Sequence, residues 1–150
     1  MLLRLKVYHH LFLLQLELAQ LYTQFDNIDQ AQAALKNAFE SDDVYPEEKH
    51  EILIQYLQII SLAEASPEVD LEASVNESVD ELLEIALRMH PRDAAILMVA
   101  ADFQQLRGEL SVSQKLLMRA VDSDPGNRLA WSNLIALDAN LGALEEMARH

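Results

Sequence analysis

The sequence predicts an all-α protein, and three observations carry that prediction. The 150 residues include only three glycines and four prolines, so few residues suit the tight turns of a sheet. Leu, Ala, Glu and Gln dominate, and these residues favour helix. Like residues also recur along the chain at a fixed spacing. A hydrophobic content of 51% is enough for one domain with a real core.

The spacing of the recurrence is 34 positions. It relates Pro91 to Pro125, Asp93 to Asn127, Gly108 to Gly142, Leu83 to Leu117, Ala86 to Ala120 and Tyr22 to Tyr56. A helix-rich chain with this period resembles the tetratricopeptide repeat (TPR) family, which pairs two antiparallel helices in each repeat. The resemblance implies an α-α superhelix, or solenoid, of about 3.5 TPR-like hairpins with seven to eight helices.

Caps and glycines predict where the helices begin and end. Asp93 and Asn127 are good N-caps just after a proline, while Gly108 and Gly142 lie where a helix should stop. Asp26-Asn27 should likewise mark the end of a helix, although it contains no glycine. The predicted helices lie at about 2–25, 28–41, 46–64, 72–89, 93–106, 110–123 and 127–141, with an eighth beginning near Leu144.

The family pattern treats residues 1–150 as a single TPR-like repeat domain. Its repeats lie at about 12–45, 46–93 with an insertion, 94–127 and, in part, 128–150. Matching residues are Leu18, Ala19, Tyr22, Ile28, Ala31, Leu35 and Ala38, then Ile52, Leu53 and Tyr56, then Ala100, Ala101, Leu110, Leu117, Ala120 and Pro125, and finally Trp131 and Leu134. Small residues such as Ala38, Ala101 and Ala120 should let helices approach closely, and Trp131 should pack between helices.

Two departures from the pattern stand out. The closing helix of the second repeat arrives about 14 residues late, so we expect lengthened helices around a loop near Ser66 to Leu71. Ser113 and Met147 occupy positions where the family prefers alanine, which predicts looser packing there.

In the family, first-helix positions line a concave groove. The resemblance assigns to it Leu13, Leu16, Gln20, Thr23, Gln24, His50, Ile54, Leu57, Ala95, Met98, Asp102, Gln105, Leu129, Ser132, Ala136 and Asn140. Such a neutral to apolar surface suits an apolar or helical peptide. The competing interpretation, which helical spacing favours, is that Leu13, Leu16, Ile54 and Leu57 are core residues buried by neighbouring helices.

Some family members clamp a partner's C-terminal carboxylate with Lys, Asn and Arg at fixed groove positions. Those positions here hold Leu16, Gln20, Ala95 and Val99. Binding of that type is therefore not expected.

The chain is strongly acidic, with a formal charge of -14 from 11 Lys+Arg and 25 Asp+Glu. This charge repels phosphate backbones and anionic lipids, so neither nucleic acid nor membrane is an expected partner. From His50 to Leu87 the acids are Glu51, Glu64, Glu68, Asp70, Glu72, Glu77, Asp80, Glu81 and Glu84. They could steer a basic partner, but a solvated helix face is the favoured interpretation.

No pattern in the sequence indicates an enzyme, a metal or a cofactor. The chain has no cysteine, no glycine-rich phosphate loop and no nucleophile elbow. His9 and His10 point about 100° apart on a helix, so they cannot chelate together. Glu47 and His50 form one Glu-x-x-His turn, but a di-iron bundle needs two.

The sequence thus predicts a non-catalytic scaffold that binds a protein or peptide of unknown identity through the groove. Alternatives are a structural spacer segment of a larger repeat protein and, less favoured, a helical-bundle enzyme or metal protein. The open ends of the array also predict self-association. The apolar run Leu11 to Leu14 is too short for a signal peptide or a span, and the compartment stays open, with the cytoplasm slightly favoured.

Overall fold

The computed structural model describes residues 28–65 and 73–149, which form six α-helices and no strand. In chain order these helices are α1 (Ile28–Glu40), α2 (Pro46–Ala65), α3 (Ala73–Met89), α4 (Ala94–Leu106), α5 (Leu110–Ser123) and α6 (Arg128–Arg149). The all-α prediction is confirmed for this part of the chain. The predicted helix at 2–25, the Asp26-Asn27 stop and the loop near Ser66 to Leu71 lie outside the described residues.

The predicted caps form in the second half of the chain. The Asp93 side chain accepts a hydrogen bond from the Ile96 backbone N–H at 3.0 Å, and Asn127 accepts one from Ala130 at 3.0 Å. Gly108, with φ at +78°, turns the backbone into the left-handed region after α4. A side chain at this φ is disfavoured, which explains the glycine there.

The predicted stop at Gly142 is wrong. α6 is one continuous helix of 22 residues, so the helices predicted at 127–141 and from Leu144 are a single element. Gly142 does not take the positive φ that Gly108 has. A glycine inside a helix costs about 1 kcal/mol but does not break it, and Ala143, Leu144 and Glu145 are good helix formers.

The helices pack both on their neighbours in the chain and on the next helix but one. Consecutive contacts join α2 to α3, α3 to α4, α4 to α5 and α5 to α6, while α1 contacts α3 and α2 contacts α4. Ala38, Ala101 and Ala120 are at most 1% exposed, so the predicted small residues do lie in the interior. α4 lies at the centre, and its buried residues are Ile96, Leu97, Met98, Val99, Ala100, Ala101 and Phe103.

The structure bears on three local predictions of packing. Ser113 is fully buried, its hydroxyl has no hydrogen-bond partner among the described residues, and the looser packing expected there stays a prediction. Trp131 does not pack inside, because it is 43% exposed and its indole N–H donates to the Pro125 carbonyl at 2.9 Å. Met147 is 74% exposed, since it lies on the far half of α6 and not on a separate helix packed behind it.

Within residues 28–65 and 73–149, no helix is both long and apolar enough to cross a bilayer.

Candidate functional site

The described groove positions lie on three helices that alternate along the chain. α2 holds His50, Ile54 and Leu57, α4 holds Ala95, Met98, Asp102 and Gln105, and α6 holds Leu129, Ser132, Ala136 and Asn140. Spacings of three and four residues place each set on one face of its helix. The other predicted members, Leu13, Leu16, Gln20, Thr23 and Gln24, lie outside the described residues.

Between α2 and α4 the structure brings two predicted residues together. His50 is close enough to the Asp102 carboxyl to affect its titration. Burial raises the pKa of Asp102, and His50 acts in the opposite direction by lowering it. Ile54 and Leu57 beside them are half-buried and pack against the core, so they partly match the competing interpretation as well.

Met98 of α4 forms a hydrogen bond with Asn127, just before α6. Met98 is only 8% exposed, and its sulfur accepts a hydrogen bond from the Asn127 side-chain N–H at 3.7 Å. Because Asn127 also caps α6, Met98 helps to hold the start of that helix. Gln105, near the end of α4, is exposed and free to meet a ligand.

The α6 part of the surface is open. Leu129 is 63% exposed, and Ser132, Ala136 and Asn140 are exposed along the same helix. On the described helices, His50 and Asp102 are the ionisable groove positions. The remaining positions offer apolar area and uncharged hydrogen-bonding groups. Apolar area beside hydrogen-bonding groups is the chemistry that a bound peptide segment requires.

A second cluster, which the sequence did not reveal, surrounds a buried lysine. Lys49 is 0% exposed, and its amine donates to the Ser41 carbonyl at 3.2 Å. It also lies 2.9 Å from His90 Nε2. A protonated Lys49 has only donors, so in that state this nitrogen of His90 is the acceptor and the ring is neutral.

The electrostatics of the cluster follow from burial. Burial lowers the pKa of Lys49, and the Asp42 carboxylate partly opposes that effect. Burial and then the Lys49 charge lower the pKa of His90, while Asp93, Asp42 and Glu47 raise it. The cluster ties the first turn of α2, where His50 also lies, to the α1–α2 turn and to the end of α3.

The sequence pattern predicts only part of this cluster. Lys49 precedes Ile52 and Leu53 by three and four residues, which places it on the buried face of α2. The helical periodicity of α2 does not predict the contact with His90, because His90 lies 41 residues further along the chain.

The charged residues of α3 face solvent. Asp80, Glu81 and Glu84 are exposed, as the favoured interpretation of the acidic run predicts. Asp80 forms an ion pair with Arg107, and Glu81 lies 4.0 Å from Lys36. The acids from Glu68 to Glu72 lie outside the described residues.

A shallow cavity of about 180 Å³ includes none of the groove positions in its lining. Its lining residues are Pro91, Arg92, Arg119, Asp122 and Ser123. Pockets for small molecules commonly hold about 300–1,000 Å³, so this one is small for a cofactor. Across the described helices and turns, no three His, Asp or Glu side chains come together as a metal site would require.

Comparison with known proteins leaves the family open. No family model, curated protein or solved structure matches the chain.

Proposed function

We propose that the chain is a non-catalytic binding scaffold, an α-solenoid of TPR-like hairpins whose concave groove holds a peptide or a protein segment. Contacts of α1 with α3 and of α2 with α4 support the stacked arrangement, because stacked hairpins join alternate helices as well as consecutive ones. Each hairpin leaves an apolar side that the next one covers.

One observation carries the proposal more than any other. Groove positions on α2 and α4 are linked through His50 and Asp102, and groove position Met98 of α4 is linked to Asn127, the cap of α6. These contacts support a surface that runs from α2 over α4 to the start of α6. Its exposed members are mostly uncharged, which favours an apolar or helical segment as the ligand.

A pair of glutamine variants tests this surface. Peptides selected by display on the 150-residue protein would be titrated against the wild type, Gln105→Arg and Gln55→Arg. Both glutamines are exposed, but Gln55 lies on α2 well away from the side that holds His50 and Ile54. We expect Gln105→Arg to weaken binding about tenfold or more and Gln55→Arg to leave it unchanged.

Salt provides an independent readout on the same peptides. Affinity at the groove should change little with ionic strength, because apolar contacts dominate it. If modest salt abolished binding of every selected peptide and both glutamine variants bound like the wild type, the acidic face of α3 would replace the groove as the binding surface.

The alternative of a structural segment has one observation in its favour. α6 leaves large apolar side chains uncovered, with Ile135 64% and Leu144 46% exposed. Further repeats packed on α6 would bury them, as neighbouring repeats do in arrays. Light scattering on longer and shorter versions of the protein separates this role from that of a binder.

A further inference from the structure

α6 has an uncharged face that the rest of the described chain leaves largely open. It consists of Leu129, Asn133, Ala136, Asn140, Ala143 and Met147, spaced alternately four and three residues apart. This spacing keeps side chains on one side of a helix, as in a coiled coil. Leu129 is 63% and Met147 is 74% exposed, whereas Ala130, Leu134 and Leu137 are buried on a different side of α6.

The uncharged face is symmetric about residue 138. Leu129 and Met147 are equally far from that point, and the same holds for Ala136 and Asn140. If two copies of α6 cross antiparallel at residue 138, Leu129 of each copy meets the partner's Met147. The small side chains of Ala136 and Ala143 then let the middle of the two helices approach closely.

Charges beside this face select the same arrangement. Arg128 and Glu146 lie near opposite ends of α6 and on the same flank of the face. In an antiparallel pair, Arg128 of each copy lies beside the partner's Glu146, which gives two opposite-charge pairs. A parallel pair would instead place this flank of the two copies on opposite sides of the interface, so neither opposite-charge pair could form.

We propose that the uncharged face of α6 binds a second copy of this chain in an antiparallel, two-fold pair. This goes beyond the groove proposal, because it rests on the exposure and symmetry of α6 alone. Leu129, Ala136 and Asn140 belong to both surfaces, so self-association covers part of the groove. Dimer formation and peptide binding along α6 are therefore mutually exclusive.

The small size of the interface indicates a weak dimer. α6 has 22 residues and is about 33 Å long, and the face covers about 27 Å of it. One helix pair of this length buries less than the roughly 800 Å² per partner of a standard interface. We expect a dimer that dissociates on dilution, not a permanent one.

Sedimentation analysis of the whole 150-residue chain over a wide range of concentration measures this equilibrium. Leu129→Glu should weaken the dimer at least about tenfold, since a charge would enter both ends of the interface. Met118→Glu is the matched control, because Met118 is 50% exposed and lies on α5 and not on α6. It should leave the dissociation constant unchanged, and circular dichroism checks that both variants keep their helix content.

Exchange of the two charges tests the antiparallel register. Arg128→Glu should weaken the dimer by repulsion, and adding Glu146→Arg to it should restore the wild-type constant. Three results would overturn the proposal: a monomer at every concentration, equal effects of Leu129→Glu and Met118→Glu, or no recovery in the double variant. A monomer that still binds peptides through Gln105 would overturn the dimer alone. A chain that dimerises at high concentration but binds no peptide when diluted to the monomer would overturn only the groove.

Discussion

At the scale of single residues, the buried hydroxyl of Ser113 is a local cost to stability. It is fully buried in α5 and, within the described helices, its oxygen has no hydrogen-bond partner. A buried hydroxyl without a partner costs about 1–3 kcal/mol, and alanine is also the better helix former.

We therefore expect Ser113→Ala to raise the free energy of unfolding by about 1–2 kcal/mol in urea denaturation. Ser111→Ala is the control, because Ser111 is exposed on the same helix. That variant should gain no more than about 0.5 kcal/mol. A loss of stability in Ser113→Ala would mean that the hydroxyl has a partner after all.

The Lys49–His90 contact predicts a pH dependence of stability. Burial and the Lys49 charge hold the pKa of His90 below its ordinary value of 6.5, so the folded state favours the neutral ring. The stabilisation is complete above about pH 6.5 and is lost as the pH falls through the lowered pKa. Protonation of His90 removes the acceptor and sets two cations 2.9 Å apart.

His90→Gln tests this cause, because a glutamine oxygen can accept from Lys49 but does not titrate. Unfolding free energies measured between pH 7.5 and 5 should fall less steeply in the variant than in the wild type. Equal slopes would assign the pH dependence to other groups, such as Asp102.

At the scale of elements, the sequence predicted α2 to α5 well because local signals mark their ends. Asp93, Asn127 and Gly108 act through neighbours within four residues, which a sequence displays directly. The continuity of α6 was missed because the 34-residue recurrence gave Gly142 the role of Gly108. A glycine only permits a positive φ, and surrounding helix formers decide whether it is used.

The two glycines should therefore respond oppositely to alanine. Gly142→Ala should stabilise the protein by about 0.5–1 kcal/mol, because Gly142 lies inside a helix and a Cβ there meets nothing within 4 Å. Gly108→Ala should destabilise it by about 1 kcal/mol or more, because φ is +78°. Thermal unfolding of both variants measures this. Destabilisation by Gly142→Ala would restore the predicted break in α6.

At the scale of the whole molecule, sequence periodicity identifies faces but not how deeply they are buried. The groove set combines buried Met98, half-buried Ile54 and exposed Leu129. Such differences depend on how far one helix overlaps the next, and the repeat pattern does not encode this overlap. The Lys49–His90 contact was hidden for a related reason, since it joins residues that are 41 positions apart.

Methyl NMR of the isotopically labelled protein tests the groove most directly. A display-selected peptide should shift the methyl signals of Ala95, Met98 and Ala136, which lie on the proposed surface of α4 and α6. Met118 is the internal control, because it is 50% exposed on α5 and is not a groove position. Its signal should stay in place. Shifts at Met118 with none at Met98 and Ala136 would contradict a binding groove on α2, α4 and α6.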